Sequence, residues 1–141
     1  MQTVLTHIAL HCKNISASER FYEEMCGLTR VHTRCEHGVR VTWLAEPGRE
    51  KDFVIVLIDG GQRSPQQEGD FSHIGFAVPN KEDVDKACDK ARAHGWPVSW
   101  EPVQAPYPVG YFCGIADPDG HVVEFSFGQP LGPGAPDCPF D

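Results

Sequence analysis

The sequence has no CxxC pair, no basic run and no apolar stretch approaching the ~20 residues needed to cross a bilayer. Each absence removes a class of function. Six cysteines (Cys12, Cys26, Cys35, Cys88, Cys113 and Cys138) without metal-type spacing read as free thiols in a reducing compartment, and as small hydrophobes in packing. Against 12 Lys and Arg stand 20 Asp and Glu, a formal net charge of −8. Without a basic patch the chain has nothing to neutralise a phosphate backbone, so nucleic acid is not an expected partner. The opening residues, MQTVLTHIALHCKN, lack the cationic start, apolar core and small-residue cleavage site of a secretory signal. The expected location is therefore cytoplasmic, with no membrane association. At 141 residues and 40% hydrophobic content, one domain can bury a core unaided.

What the chain does contain is an internal repeat. His7-Ile8-Ala9-Leu10-His11-Cys12-Lys13-Asn14 aligns with His73-Ile74-Gly75-Phe76-Ala77-Val78-Pro79-Asn80 at an offset of 66. An offset of 68 pairs Gly27 with Gly95, and also Val54-Ile55-Val56-Leu57-Ile58-Asp59-Gly60 with Val122-Val123-Glu124-Phe125-Ser126-Phe127-Gly128. These β-branched and aromatic runs read as strands. A helical segment follows the first strand of each half. Residues 16–26 open on Ser16 with Glu19 three positions later, a capping-box pattern, and residues 81–94 follow Asn80 as N-cap with Asp83 three residues on. Gly27 and Gly95 stand where a helix C-cap favours glycine.

Two more strands fit each half, near 28–35 and 39–46 in the first and near 98–103 and 110–116 in the second. Each half thus reads β-α-β-β-β. The expected fold is α+β: two such modules, over 1–60 and 71–128, forming a curled mixed sheet with helices outside. A polar spacer over 61–70, interrupted by Pro65, would join them in one structural domain, and a Pro- and Gly-rich tail over 129–141 would be extended or loose. Asp117-Pro118-Asp119-Gly120 is a turn signal.

Alternation along a strand puts His7, Ala9 and His11 on one face, and likewise His73, Gly75 and Ala77. In the last strand Val122, Glu124 and Ser126 oppose the bulkier Val123, Phe125 and Phe127, which suit a covering helix. His7, His73 and Glu124 are then expected on the concave side. An unpaired carboxylate there is unfavourable by several kcal/mol, and a divalent metal would remove that penalty. Two imidazoles and one carboxylate leave coordination positions open, an arrangement suited to non-haem Fe(II) and usable by other divalent ions.

The positions His7-x-x-Leu10, Ser18-x-x-Phe21-Tyr22, Gly27-Leu28, His73-Ile74 and Asp117-Pro118-Asp119-Gly120-x-x-x-Glu124 resemble the vicinal oxygen chelate superfamily. It contains glyoxalase I, fosfomycin-resistance thiol transferases, extradiol dioxygenases and bleomycin-resistance proteins. The resemblance spans nearly all of residues 4–128. It implies metal ligands on the first and last strands of the modules, at His7, Val56, His73 and Glu124. Valine has no donor, and glyoxalase I-like enzymes place a carboxylate there, so the implied set is His-His-Glu, as in the extradiol dioxygenases and thiol transferases. Two departures stand out. The extradiol enzymes carry a tyrosine about ten residues before the glutamate, where this chain has Gly114 with Tyr111 and Phe112 nearby. The thiol transferases carry an arginine past the last strand, and residues 128–141 hold none.

The leading expectation is a dioxygenase-type enzyme using Fe(II) or Mn(II), with Ni(II) or Zn(II) as other options, acting on a small-molecule substrate. The alternatives are glyoxalase-like lyase or thiol-transferase chemistry, with the metal as Lewis acid, and a non-catalytic, bleomycin-resistance-like ligand-binding protein. His11 is a candidate for proton transfer and Tyr111 for a substrate hydrogen bond. Arg40 and Trp43 fall on opposite faces of one strand, so at most one should line a cavity. Phe21, Tyr22 and Met25 read as core, and His32, His37 and His94 as solvated. A homodimer is expected, with His7 able to come from either copy.

Overall fold

The parallel pairing of the first and last strand in each half sets the architecture. The computed structural model describes residues 1–64 and 66–130. The first half forms β1 (His7–Cys12), α1 (Ile15–Cys26), β2 (Thr29–Glu36), β3 (Val39–Ala45) and β4 (Val54–Asp59). The second forms β5 (His73–Ala77), α2 (Lys81–His94), β6 (Val98–Ala105), β7 (Gly110–Ala116) and β8 (Val122–Phe127). The sheets have the orders β1-β4-β3-β2 and β5-β8-β7-β6, so the repeat seen in the residues is a repeat of topology. In each, the outer pair β1/β4 or β5/β8 is parallel and the remaining pairs are antiparallel. The expected βαβββ modules are present as two four-stranded mixed sheets, neither closed on itself.

The chain divides into two compact units. Among the described residues, the first holds Met1–Glu68 together with Asp117–Gly120, and the second holds Gly69–Ala116 and residues 121–130. The expected Pro- and Gly-rich tail lies outside the described residues from 131 on, as do Pro65 and Cys138.

In the first unit α1 packs on β3 and β4. Its Ile15, Phe21 and Tyr22 are buried with Leu44, Ile55 and Leu57. Full burial of such side chains is worth ~1.5–3 kcal/mol each. The helix starts one residue earlier than expected, and its cap is Asn14, whose Oδ1 accepts from Ala17 N at 3.1 Å. Ser16 and Glu19 form no capping box. Both accept instead from the Arg40 guanidinium, at 3.0 and 2.7 Å, and Glu19 also takes the Thr42 hydroxyl. A buried carboxylate close to a cation and a hydroxyl is better satisfied there than by reaching back to the helix start. Gly27 and Gly95 cap the helices at φ 67° and 77°, as expected. His37 and Gly38, at φ 51° and 80°, make the two-residue turn between β2 and β3.

The first unit also contains a buried ion cluster. Arg63, expected within a mere spacer, places Nη1 3.2 Å from Asp117 Oδ2 and 3.7 Å from Asp119 Oδ2. The Tyr22 hydroxyl donates to Asp117 Oδ2 at 2.9 Å, and Lys13 N donates to Asp119 Oδ1 at 3.0 Å. Burial, reinforced by the Asp117 charge, pushes the Tyr22 hydroxyl well above its usual range and keeps it a donor. The Asp-Pro-Asp-Gly turn is thus a docking element as well as a turn.

In the second unit α2 packs on β6, β7 and β8. Val84, Cys88, Ala91, Cys113, Ile115 and Val123 are buried. Burial pushes the Cys88 and Cys113 thiols up, which suits a packing role and not reactivity. All five described cysteines are free.

Candidate metal and substrate site

Strand register places each chemical group of the second unit. Gly75 pairs with Glu124 across β5 and β8, Glu124 with Gly114 across β8 and β7, and Gly114 with Trp100 across β7 and β6. Glu124 is only 5% exposed, set on the central rung between two glycines. His73 Nε2 lies 3.2 Å from Glu124 Oε2. The other ring nitrogen, Nδ1, is 2.6 Å from the Phe71 carbonyl oxygen. A carbonyl only accepts, so Nδ1 carries the hydrogen and, in the neutral ring, Nε2 presents a lone pair to a carboxylate oxygen. Two acceptors at that distance are reconciled by a hydrogen or a cation held between them. An imidazole held through Nδ1–H by a carbonyl, with Nε2 toward a carboxylate, is the donor arrangement of a metal site. The residues present therefore fit a divalent metal.

The pair opens on a cavity of about 370 Å³ walled by Phe71, Trp100, Val103, Val109 and Phe112. Among the described residues, His73 and Glu124 are its only ionisable lining residues. Such a lining suits an apolar molecule oriented by a few polar atoms.

The first unit has a cavity of about 480 Å³ whose lining includes His7, Ala9, Arg34, Trp43, Lys51 and Val56. The His7 Nδ1 is 2.9 Å from Thr6 Oγ1. Val56 pairs with Ala9 and Trp43, the register that Glu124 holds with Gly75 and Gly114. Trp43 lines this cavity while Arg40 turns to α1, as alternation requires. His32 lies mid-strand in β2, with its ring 4.9 Å from that of Trp43.

The expected ligands thus divide into His7 in one unit and the His73–Glu124 pair in the other. Among the described residues no group of three or more His, Cys, Asp or Glu forms a cluster able to hold a metal. His11 shares the His7 face of β1, but four strand residues separate them by roughly 13 Å. Its Nδ1 lies 3.0 Å from the Gly60 carbonyl oxygen, and Gly61 packs so closely that a Cβ would collide with the ring. His11 is absent from the lining of the His7 cavity.

Tyr111, a candidate for a substrate hydrogen bond, lies on the opposite face of β7 from Gly114. It pairs with Phe127, one face removed from Glu124, and its hydroxyl donates to Asp85 Oδ1 of α2 at 2.7 Å. That bond pushes its pKa up to about 12. The register carried a readable signal: an odd separation of three residues from Gly114 sends Tyr111 to the helix side. The residue that sequence reasoning missed is Trp100, placed beside His73 by the same register.

Residues 4–125 match the Glyoxalase/Bleomycin resistance protein/Dioxygenase superfamily. The chain belongs to this superfamily. It is 46% identical over 139 residues to the uncharacterized protein PA2024 of Pseudomonas aeruginosa, covering 99% of each chain. It is 28% identical to the glutathione transferase FosA of Serratia marcescens, over 89% of this chain and 81% of that one. Among solved structures, the fosfomycin resistance protein FosX of Listeria monocytogenes, in complex with Mn(II) and 1S,2S-dihydroxypropylphosphonic acid, superposes with a TM-score of 0.73 at 19% identity, covering 93% and 96%. This last likeness concerns the fold. That transferase and a probable lactoylglutathione lyase of Vibrio cholerae, 24% identical over 85% of this chain and 87% of that one, are named as enzymes, and no helix among the described residues is long and apolar enough to cross a membrane.

Proposed function

We propose that the protein is a metal-dependent enzyme acting on a small organic molecule. His73 and Glu124 hold a divalent ion, and His7 is the third ligand, from the same chain or from a second copy in a homodimer. The observation that carries this reading is His73 Nε2 lying 3.2 Å from Glu124 Oε2 while Nδ1 is committed to the Phe71 carbonyl. When bound, the ion supplies Lewis acidity at a substrate oxygen. The chain's own groups do the rest. The Phe71 carbonyl fixes the imidazole tautomer, the Glu124 carboxylate balances charge, and the aromatic and aliphatic walls offer an apolar surface beside the pair.

Redox-neutral transferase or lyase chemistry is the reading favoured by the site. Gly114 stands at the register of Glu124 and Tyr111 is turned to α2, so among the described residues neither position offers a phenol beside the carboxylate to assist an O₂-dependent ring opening. The FosA relative's named activity, a glutathione transferase, points the same way. The His-His-Glu composition favours the second reading, Fe(II)- or Mn(II)-dependent dioxygenase chemistry. Mn(II) is favoured for the first because the FosX complex contains it, with Ni(II) and Zn(II) as other candidates.

Elemental analysis of the purified protein, before and after anaerobic loading with Fe(II), Mn(II), Ni(II) and Zn(II), tests the site. About one metal per chain, lost in His73→Ala, is the expected result. No specific metal in the wild-type protein removes the reading and leaves a ligand-sequestering cavity. Oxygen uptake by the loaded protein with substrate separates the two chemistries.

A further inference from the structure

The cavity of the first unit owes part of its wall to a place where the two halves of the repeat differ in length. The connection from β3 to β4 runs over residues 46–53, longer than its counterpart over 117–121 between β7 and β8. The longer loop is folded on itself: Arg49 N donates to Glu46 O and Asp52 N to Arg49 O, both at 3.0 Å, and Gly48 N donates to Glu50 Oε1 at 2.9 Å. Its residues 50–53 line the cavity of about 480 Å³. Opposite in sequence, β2 holds the indole of Trp43 from two positions. His32, the cross-strand partner, puts its ring 4.9 Å away, and the Arg34 guanidinium carbon lies 5.7 Å from the indole centroid. Trp43 still keeps 37% of its surface exposed, so an indole fixed by its neighbours remains open to a ligand. The polar groups left over here are cationic. Arg34 Nε donates to Glu36 Oε1 at 2.8 Å, whereas its terminal nitrogens and the Lys51 ammonium have no hydrogen-bond or ion-pair partner among the described residues. The two acids of the lining are engaged within the loop, Glu50 by Gly48 N and Asp52 by Arg49 Nε at 3.6 Å.

We propose that the cavity of the first unit is a recognition site for an aromatic carboxylate, whose ring stacks on Trp43 and whose charged group is held by Arg34 and Lys51. A guanidinium meets a carboxylate through parallel N–H bonds, and an ammonium adds a compact point charge. The indole attracts a planar ring beyond the area it covers. A doubly charged phosphate fits less well, because Glu50 and Asp52 share the lining and oppose the second negative charge. His7 lines the same cavity, so the identification of this molecule as the substrate rests on the metal reading above. The recognition itself needs no ion, since Arg34, Trp43 and Lys51 are not among the candidate ligands.

Calorimetric titration of the purified protein with 2-naphthoate, 2-naphthamide and 2-naphthyl phosphate tests the inference. The carboxylate is expected to bind saturably, about tenfold or more tightly than the neutral amide or the phosphate. Its affinity should fall about tenfold in Trp43→Leu and about fivefold in Lys51→Gln, while Trp43→Phe and Lys51→Arg keep most of it. Lys51 is exposed on its loop, so the Lys51 pair decides alone should Trp43→Leu fail to fold. Treatment with a chelator and the variant His73→Ala should leave naphthoate affinity within about twofold of wild type, so that failure of the metal reading is a separate result. Amide or phosphate binding as tightly as the carboxylate, or naphthoate affinity unchanged in Trp43→Leu, overturns the proposal. Loss of naphthoate binding on chelation overturns it as well, because the carboxylate would then be held by the metal and not by Arg34 and Lys51.

Discussion

The two units share a topology and differ on one rung. In the first, the residues running across the sheet are His32, Trp43, Val56 and Ala9, and in the second they are Trp100, Gly114, Glu124 and Gly75. An indole sits on the second strand from the edge in one and on the edge strand in the other. Where Trp43 occupies the strand beside Val56, the second unit puts glycine beside its carboxylate and lets the indole lean over from the edge. The backbone repeat therefore supplies equivalent places, and side-chain size decides which place is open to a ligand.

Buried charge draws a second contrast. Asp117, in the first unit, has an internal cation in Arg63 and a donor in Tyr22. Glu124, in the second, has only a histidine as ion-pairing partner among the described residues. A carboxylate with its own guanidinium is structural, whereas one lacking it calls for a cation from outside. The largest effect expected from breaking this contrast is on stability. Arg63→Ala should lower the unfolding free energy by about 3 kcal/mol in urea titration, because it removes the guanidinium from two carboxylates that are 0% and 1% exposed. A loss under ~1 kcal/mol would mean that solvent reaches the cluster and that the contrast is empty.

On the other side of the contrast, Glu124→Gln keeps shape and hydrogen-bonding capacity while deleting the charge. Metal affinity should fall by more than ~100-fold, since even an outer partner of a metal ligand typically contributes 10- to 100-fold. Folding should be nearly unaffected in the metal-free protein. Full metal occupancy in this variant would show that the carboxylate is not a ligand.

Much of this was legible in the residues. The repeat, the β-α-β-β-β order, the glycine caps and the opposite faces of Arg40 and Trp43 all follow from periodicity, which the backbone enforces locally. What was not legible depended on long-range partners. Nothing local says that Glu19 meets Arg40 and Thr42, 21 and 23 residues away, instead of its own helix start. Arg63 lies in a polar stretch that resembles a spacer, and only the Asp117–Gly120 turn, more than fifty residues on, reveals it as an anchor. Candidate ligands were visible because alternation fixes faces. The cavity at Glu124 was not, because it is made by the absence of side chains at Gly75 and Gly114.

The rung comparison can be sharpened by adding the missing group. His7 pairs with Val54 and Ala9 with Val56, as His73 pairs with Val122 and Gly75 with Glu124. Val56→Glu should therefore create a second imidazole–carboxylate pair in the first unit. Metal-free, the variant should lose about 2 kcal/mol from desolvating a carboxylate at a position only 8% exposed. Mn(II) should restore that stability in thermal melts and leave an unsubstituted control less affected. Destabilisation with no response to metal would mean that the first unit offers the register without the room.

The smallest expected effect separates the two helix starts. Asn14 and Asn80 hold equivalent positions in the repeat, and both precede a helix with extended backbone, at φ −138° and −133°. Asn14 spends its side-chain oxygen on Ala17 N, whereas Asn80 makes no side-chain cap and turns its amide to Asp83 Oδ2 at 2.8 Å. Asn14→Ala should then lower stability by about 1 kcal/mol, the usual value of a satisfied N-cap. Asn80→Ala should change it by less than ~0.5 kcal/mol, because what it removes is a solvent-exposed side-chain contact. Urea titrations of both variants in parallel resolve the difference. Equal losses would mean that Asn80 reaches its helix in solution, and that at this position the two modules are alike in energy as well as in sequence.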